Sequence, residues 1–256
     1  MVQSVARRPF RPAVWRTLLL VAAVLLPMGR LAAQEDAPTN LKVLPKDMSR
    51  ERVIAVMRTF TGALGAHCST CHVGDEGLPL STYDFASDDK PMKLRAREML
   101  KMVSAINGDY LANLPQRRKP NVTVTCNTCH RGVSRPEPIE QIVQATMESD
   151  DLDFAIQKYR DLREKYYGSA AYDFSDRPLA RLAQSIAKDN PDAANQLLAL
   201  NVEFNPKSAA TFAAMGAIAE QNGDKAKAIE NYKKALEIQP DNPRVAARLR
   251  ELGGGE

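Results

Sequence analysis

The sequence is poor in the residues that would support several common functions. It has four cysteines, three histidines and one tryptophan in 256 residues, and aromatics make up 6%. So few aromatics weigh against a β-sandwich and favour helix. The longest apolar run, Leu18–Leu26 (LLLVAAVLL), has nine residues and ends at Pro27. A membrane-crossing helix needs roughly 20. A surplus of positive charge is also missing once its location is considered. The formal net charge is +4, but Arg7, Arg8, Arg11, Arg16 and Arg30 all lie in residues 1–33, which contain no acid. The remainder has 30 basic and 31 acidic side chains, a net charge of −1. That removes the electrostatic case for binding nucleic acid.

Residues 1–33 combine a basic start, a short apolar stretch and the small pair Ala32-Ala33 before Gln34. This is the pattern of a secretory signal peptide, with cleavage expected after Ala33. An uncleaved membrane anchor is the alternative. Arg7-Arg8 hints at a twin-arginine leader, but a chain that receives its cofactor after export should cross unfolded. No cysteine lies near the cleavage point, so the mature N-terminus is not lipidated there. The expected location is the periplasm, at the outer face of the plasma membrane.

All four cysteines are used in two like motifs, Cys68-Ser-Thr-Cys71-His72 and Cys126-Asn-Thr-Cys129-His130. In an exported chain, C-x-x-C-H is the attachment signature of c-type haem. Thiols one helical turn apart can each add across a haem vinyl group, and the adjacent imidazole becomes the proximal iron ligand. A structural zinc is a poorer fit. Paired CxxC zinc sites are usually separated by about 15–20 residues, whereas 54 residues lie between Cys71 and Cys126. A redox CxxC belongs near a βαβ pattern, which is not visible, and a disulfide within CxxC is strained. The expectation is two covalent haems, with Cys68, Cys71, Cys126 and Cys129 as anchors and His72 and His130 as proximal ligands.

The distal ligand decides the chemistry. An open iron binds small molecules or reacts with peroxide, whereas His/Met ligation suits electron transfer. Ser49 is a good N-cap, Gly65 a stop, and Val53, Met57, Phe60 and Leu64 share one helical face between them. Met57 precedes Cys68 by eleven residues. A second helix is predicted from about Pro91 to Leu111, with Met99 on its apolar stripe and Met102 one turn further on. Periodicity does not choose between these two methionines, and either Met57 or Met99 could equally be core filler. His67 reads as a surface or propionate-side residue.

Three stretches carry a family resemblance: Asn40–Leu44 leading through Met57 to CSTCH, RAREMLKMVSAINGDYL (Arg95–Leu111), and VTCNTCHRG (Val124–Gly132). Together they resemble the haem-binding repeat of the cytochrome c subunit of bacterial photosynthetic reaction centres, over about residues 40–135. The resemblance implies a helix–CxxCH–helix–CxxCH unit in which Met57 ligates the first iron and Met99 the second. It also implies re-reduction of the photo-oxidised pigment pair. The photosynthetic member has four haems in two such units, and this chain has one unit. Electron transfer is therefore better supported than direct service to a reaction centre.

From about Ile139 the sequence turns Ala- and Leu-rich. Phe212, Met215-Gly216, Ala219, Gly223, Ala228, Tyr232, Ala235 and Pro240 match the 34-residue tetratricopeptide pattern. Pro206 and Ala194 lie 34 residues before Pro240 and Ala228, which puts a preceding repeat in register. Ala155 and Tyr159 resemble the second helix of an earlier one. The expected architecture is mainly α: signal peptide 1–33, a dihaem cytochrome domain 34–137 and a short α-solenoid over 138–252. Charge divides as +3 over residues 34–137 and −4 over 138–256.

The expected function is haem-mediated electron transfer without a catalytic residue. Its partners would be a membrane-bound reaction centre or respiratory complex and a soluble cytochrome, with the repeats docking protein. The alternatives are a respiratory carrier or a scaffold in a non-photosynthetic cell, and a dihaem peroxidase, which would require an open iron.

Overall fold

The computed structural model describes residues 37–116 and 119–254. The leader expected over 1–33 lies outside the described residues. Helix dominates, and the only extended pairing among the described residues is one bridge between Val73 and Asp84. None of the described helices is long and apolar enough to cross a membrane.

Helix α1 runs Arg50–Leu64. It begins where Ser49 Oγ accepts from the Arg52 N–H, satisfying one of the free first-turn donors. It ends at Gly65, whose left-handed φ of 59° suits glycine. A side chain at Gly65 would also overlap the Gly132 carbonyl. The Gly132 N–H donates to the Ala63 carbonyl at 2.8 Å, so the end of α1 meets the chain just beyond the second CxxCH. Helix α2, Cys68–Cys71, and helix α4, Cys126–His130, are each about one turn long. Between them lies α3, Pro91–Ala105, with Pro91 at its first turn, where a missing N–H costs nothing. The expected helix to Leu111 is continuous, but its last stretch, Ile106–Leu111, widens into a π turn.

The C-terminal half is a stack of helix pairs: α5 Ile139–Ser149 with α6 Leu152–Tyr166, α7 Arg177–Ile186 with α8 Pro191–Phe204, and α9 Ala209–Gln221 with α10 Lys225–Ile238. A single helix, α11 Pro243–Glu251, closes the stack. Asp151, Asn190, Ser208, Asp224 and Asn242 each cap the helix that follows them through a side-chain oxygen. One continuous core runs from Ile139 and Tyr159 through Leu179, Leu197 and Leu198 to Ile218. A second forms from Ala228, Tyr232, Val245 and Leu249. Small alanines on the facing sides allow this close stacking. In the α6–α7 connector, the Arg163 guanidinium sits 4.2 Å from the Tyr167 ring centroid and 4.5 Å from that of Phe204, and it donates to the Phe174 carbonyl.

Gly216 shows how tight the stack is. A Cβ there would lie 2.6 Å from the ring of Tyr232, which is buried and tethered by its hydroxyl to Glu220. Replacing a helical glycine with alanine gains about 1 kcal/mol of propensity, whereas overpacking costs about 1–3 kcal/mol. The ring cannot swing away without giving up its hydrogen bond, so overpacking wins. Gly216→Ala should lower stability by about 1 kcal/mol, read from urea unfolding followed by circular dichroism. A stabilised Gly216→Ala protein would show that the contact relaxes freely.

Candidate haem-attachment sites

Both CxxCH motifs fold the same way. In each, the threonine between the cysteines reaches back to the residue before the motif. The His67 N–H donates to Thr70 Oγ1 at 3.2 Å and the Thr125 N–H to Thr128 Oγ1 at 3.0 Å. These bonds pin the first turn that spaces the two thiols. The signal was in the sequence, since threonine occupies the same place in both motifs. Cys68, Cys71 and Cys126 are half-buried and Cys129 is exposed, and none of them is in a disulfide. Burial, followed by repulsion from Cys68, holds the Cys71 thiol above its ordinary pKa.

The two histidines expected as proximal ligands are held differently. His130 Nδ1 lies 3.0 Å from the Val133 carbonyl. A carbonyl can only accept, so Nδ1 carries the proton and Nε2 keeps its lone pair for a metal. His72 packs edge-on against Phe85, with ring centroids 5.0 Å apart, and its Nδ1 is buried without a hydrogen-bond partner. Burial, with Lys93 second, pushes its pKa below the usual imidazole value. A neutral ring is the form that ligates iron. Phe85 in turn stacks on Tyr83, whose ring fills the space a Gly74 side chain would need.

Lys93 secures that aromatic support, and no sequence pattern announced it. It is the one buried charged side chain among the described residues. Its ammonium donates to the Phe85, Ala86 and Ser87 carbonyls at 2.9, 3.0 and 2.6 Å. Asp88 gathers Lys42, Lys93 and Arg97 around the same loop, and Asn40, in the left-handed region at φ 62°, donates to Asp88 and Ala86. His67, read from the sequence as a surface or propionate-side residue, is at the surface, 3.6 Å from Glu76.

The helices bearing the candidate methionines pack crosswise. Helix α1, with Met57, touches α4, and α3, with Met99 and Met102, touches α2. Met57 is half-buried on the face with Val53 and Phe60. Met99 and Met102 are 45% and 46% exposed, so burial does not separate them. Ile54, Leu78, Leu80, Phe85, Leu94 and Leu114 are exposed in the same half of the chain. Among the described residues before Ile139, only Ala63 and Val133 of the apolar ones are buried. Large apolar side chains left uncovered on the same stretch of chain as both attachment turns, with Phe85 against His72, leave apolar surface for bulky planar ligands. The residues therefore fit haem. By contrast, no group of His, Cys, Asp or Glu among the described residues is arranged to hold a bare metal ion, as a zinc site would require.

Covalent CxxCH attachment turns with supported imidazoles on a helical frame define a c-type cytochrome. The family model for the photosynthetic reaction centre cytochrome c subunit matches residues 39–224, and the chain belongs to that family. The match runs well past the 40–135 stretch of sequence resemblance, into the stacked helices. A tetratricopeptide model matches residues 209–242. Cytochrome c-554 of Chloroflexus aurantiacus is 36% identical over 92 residues, which is 36% of this chain and 20% of that relative. The chain thus matches about a fifth of that relative's length. Membership of a cytochrome c family implies covalently bound haem c and electron transfer.

Two outcomes follow from the Lys93 cluster. Lys93→Met leaves the Phe85 and Ser87 carbonyls without their donor, while Ala86 keeps Asn40, and should cost about 2 kcal/mol in urea unfolding; an unchanged midpoint would remove Lys93 from this role. Arg97, then Lys42, hold Asp88 well below the usual carboxylate range. Its contribution to stability is therefore complete above the unfolded-state pKa of about 3.9 and is lost as pH falls from there through the depressed folded value. Asp88→Asn should flatten this acid limb of the stability profile, and a limb of unaltered slope would contradict the assignment.

Proposed function

We propose that the chain is an exported dihaem c-type cytochrome that passes single electrons between protein partners at the outer face of the plasma membrane. The observation that carries this reading is the pair of like-built attachment turns, each with a histidine held for metal ligation, on a chain of the reaction-centre cytochrome family. When bound, haem c supplies an Fe(III)/Fe(II) couple whose potential is set by its axial ligands and burial. Cys68 and Cys71 hold one haem and Cys126 and Cys129 the other, with His72 and His130 below the irons.

Met57 and Met99 serve as the distal ligands, with Met57 opposite His72 and Met99 opposite His130. The order of the family's unit supports this pairing, since each methionine helix precedes the attachment turn whose iron it would serve. His/Met ligation closes the iron to peroxide and favours electron carriage over a peroxidase reaction.

The helical repeats supply a protein-docking surface. Between α7, α9 and α11 they form a groove floored by Ala210, Ala213 and Ala217 and edged by Arg244 and Arg248. The partners are a membrane-bound reaction centre or respiratory complex and a soluble cytochrome. Residues 1–33 act as the signal peptide, so the mature chain begins at Gln34.

Absorbance, haem quantification and redox titration of the exported protein test this reading. Two haems per chain are expected, with the weak near-infrared band of Met–Fe(III) ligation. Met57→Ala and Met99→Ala should each remove about half of that band, and Met102→Ala should leave it intact. One haem per chain would refute the dihaem reading, and a full band in Met57→Ala or Met99→Ala would refute that ligand.

A further inference from the structure

The π turn after α3 contains a side chain that no other part of the site accounts for. The Asn107 carboxamide pairs with both backbone groups of Val124. Its Nδ2 donates to the Val124 carbonyl at 2.8 Å, and its Oδ1 accepts from the Val124 N–H at 2.8 Å. The same Nδ2 also donates to the Val103 carbonyl at 3.0 Å, which keeps the carboxamide aligned with its own helix. Asparagine has one donor and one acceptor side by side, so it can imitate a neighbouring strand for a single residue. Aspartate lacks the donor, and leucine, of similar size, lacks both groups.

The position of this clamp gives it significance. Val124 immediately precedes Thr125, which caps α4, and lies two residues before Cys126. Asn107 lies eight residues after Met99 in the continuous helix. The connecting segment, residues 112–116 and 119–123, is exposed throughout. At its other end, α4 is held to α1 by the Gly132–Ala63 bond. Asn107 is therefore the direct tie between the helix carrying Met99 and the turn carrying His130. π turns inside helices often mark such functional positions.

We propose that Asn107 is the positioning residue of the second haem site, fixing the span between Met99 and His130 so that the methionine–iron bond stays closed. This rests on the reading that Met99 and His130 share one iron. Without the clamp, the Val124 end of α4 loses its direct bonds to the α3 helix and shifts relative to it, while the bond beyond its C-terminal end to α1 stays. Both thioethers at Cys126 and Cys129 survive that movement, because they are covalent. The Met–iron bond is weak and is lost first.

The test compares Asn107→Leu, Asn107→Asp and, as a control, Asn113→Ala in the holoprotein. Asn113 donates only to the Asp109 carbonyl in its own turn and crosses to no other segment. Both Asn107 variants should retain two covalent haems by pyridine haemochrome assay but lose about half of the near-infrared Met–Fe(III) band. One of the two midpoint potentials should fall and the other should stay at its wild-type value. Asn113→Ala should match wild type in all three readouts. An Asn107→Leu protein with the full band and both potentials unchanged overturns the proposal. So does loss of the whole band in both Asn107 variants, which would mark a general collapse instead of an effect on one site. The underlying ligand reading fails separately, if Met99→Ala leaves the band at full height.

Discussion

The Gly132 N–H bonded to the Ala63 carbonyl is the contact on which the haem-bearing half depends. It joins the end of the first helix to the chain just after the second attachment turn, across most of the module's sequence. Glycine at 65 makes the approach possible twice over, through its left-handed φ and through the space its missing side chain leaves for the Gly132 carbonyl. From this junction α1 runs back with Met57, and α4 runs back with His130. Val133, the next buried residue, accepts from the His130 ring through its carbonyl and leads into α5. A backbone contact, and not a cluster of large side chains, is therefore what relates the two sites.

Such a design is needed because this half of the chain cannot condense on its own side chains. Apart from Ala63 and Val133, its described apolar residues stay exposed or half-buried, and its organised features are polar: Lys93 on three carbonyls, Asp88 among cations, Asn107 on Val124. Hydrogen bonds of this kind fix direction but contribute only modest net stability each. The helical repeats are built the opposite way. There Leu179, Leu197 and Ile218 are almost completely buried, and polar groups such as Asn201 and Thr211 are bonded to each other. One half is a frame shaped for a large apolar ligand, and the other is a conventional core.

Local chemistry was legible in the sequence, and long-range packing was not. Ser49 and Gly65 marked both ends of α1, because a cap depends on residues within one turn of it. The CxxCH turns and the 34-residue register of Pro206 and Pro240 were equally plain. What could not be read was which helix meets which turn. Nothing in the sequence order announced that α1 would meet α4. Lys93 lay in a run of otherwise unremarkable helical residues, and its burial depends on a loop whose path no periodicity encodes. Met99 and Met102 remained equivalent in the sequence, and they are equally exposed in the fold.

The extent of the family match bears on how far electrons can travel. It reaches residue 224, yet the sequence has no cysteine after Cys129. No thioether can form in the stacked helices, and their interior is already filled by Tyr159, Leu198 and Ile218. Any haem path through this sequence is therefore confined to the module ending near Val133. A partner must approach that module directly, because the repeats offer no relay of their own. The repeats begin only a few residues beyond Val133, and Arg131 already donates to the Ala170 carbonyl in the α6–α7 connector. On the reading that the repeats dock a partner, this short connection tethers the docking domain to the second attachment turn. Short tethering raises the effective concentration of a docked partner without requiring a strong interface at the haem edge. That suits a carrier that must release its partner after each electron.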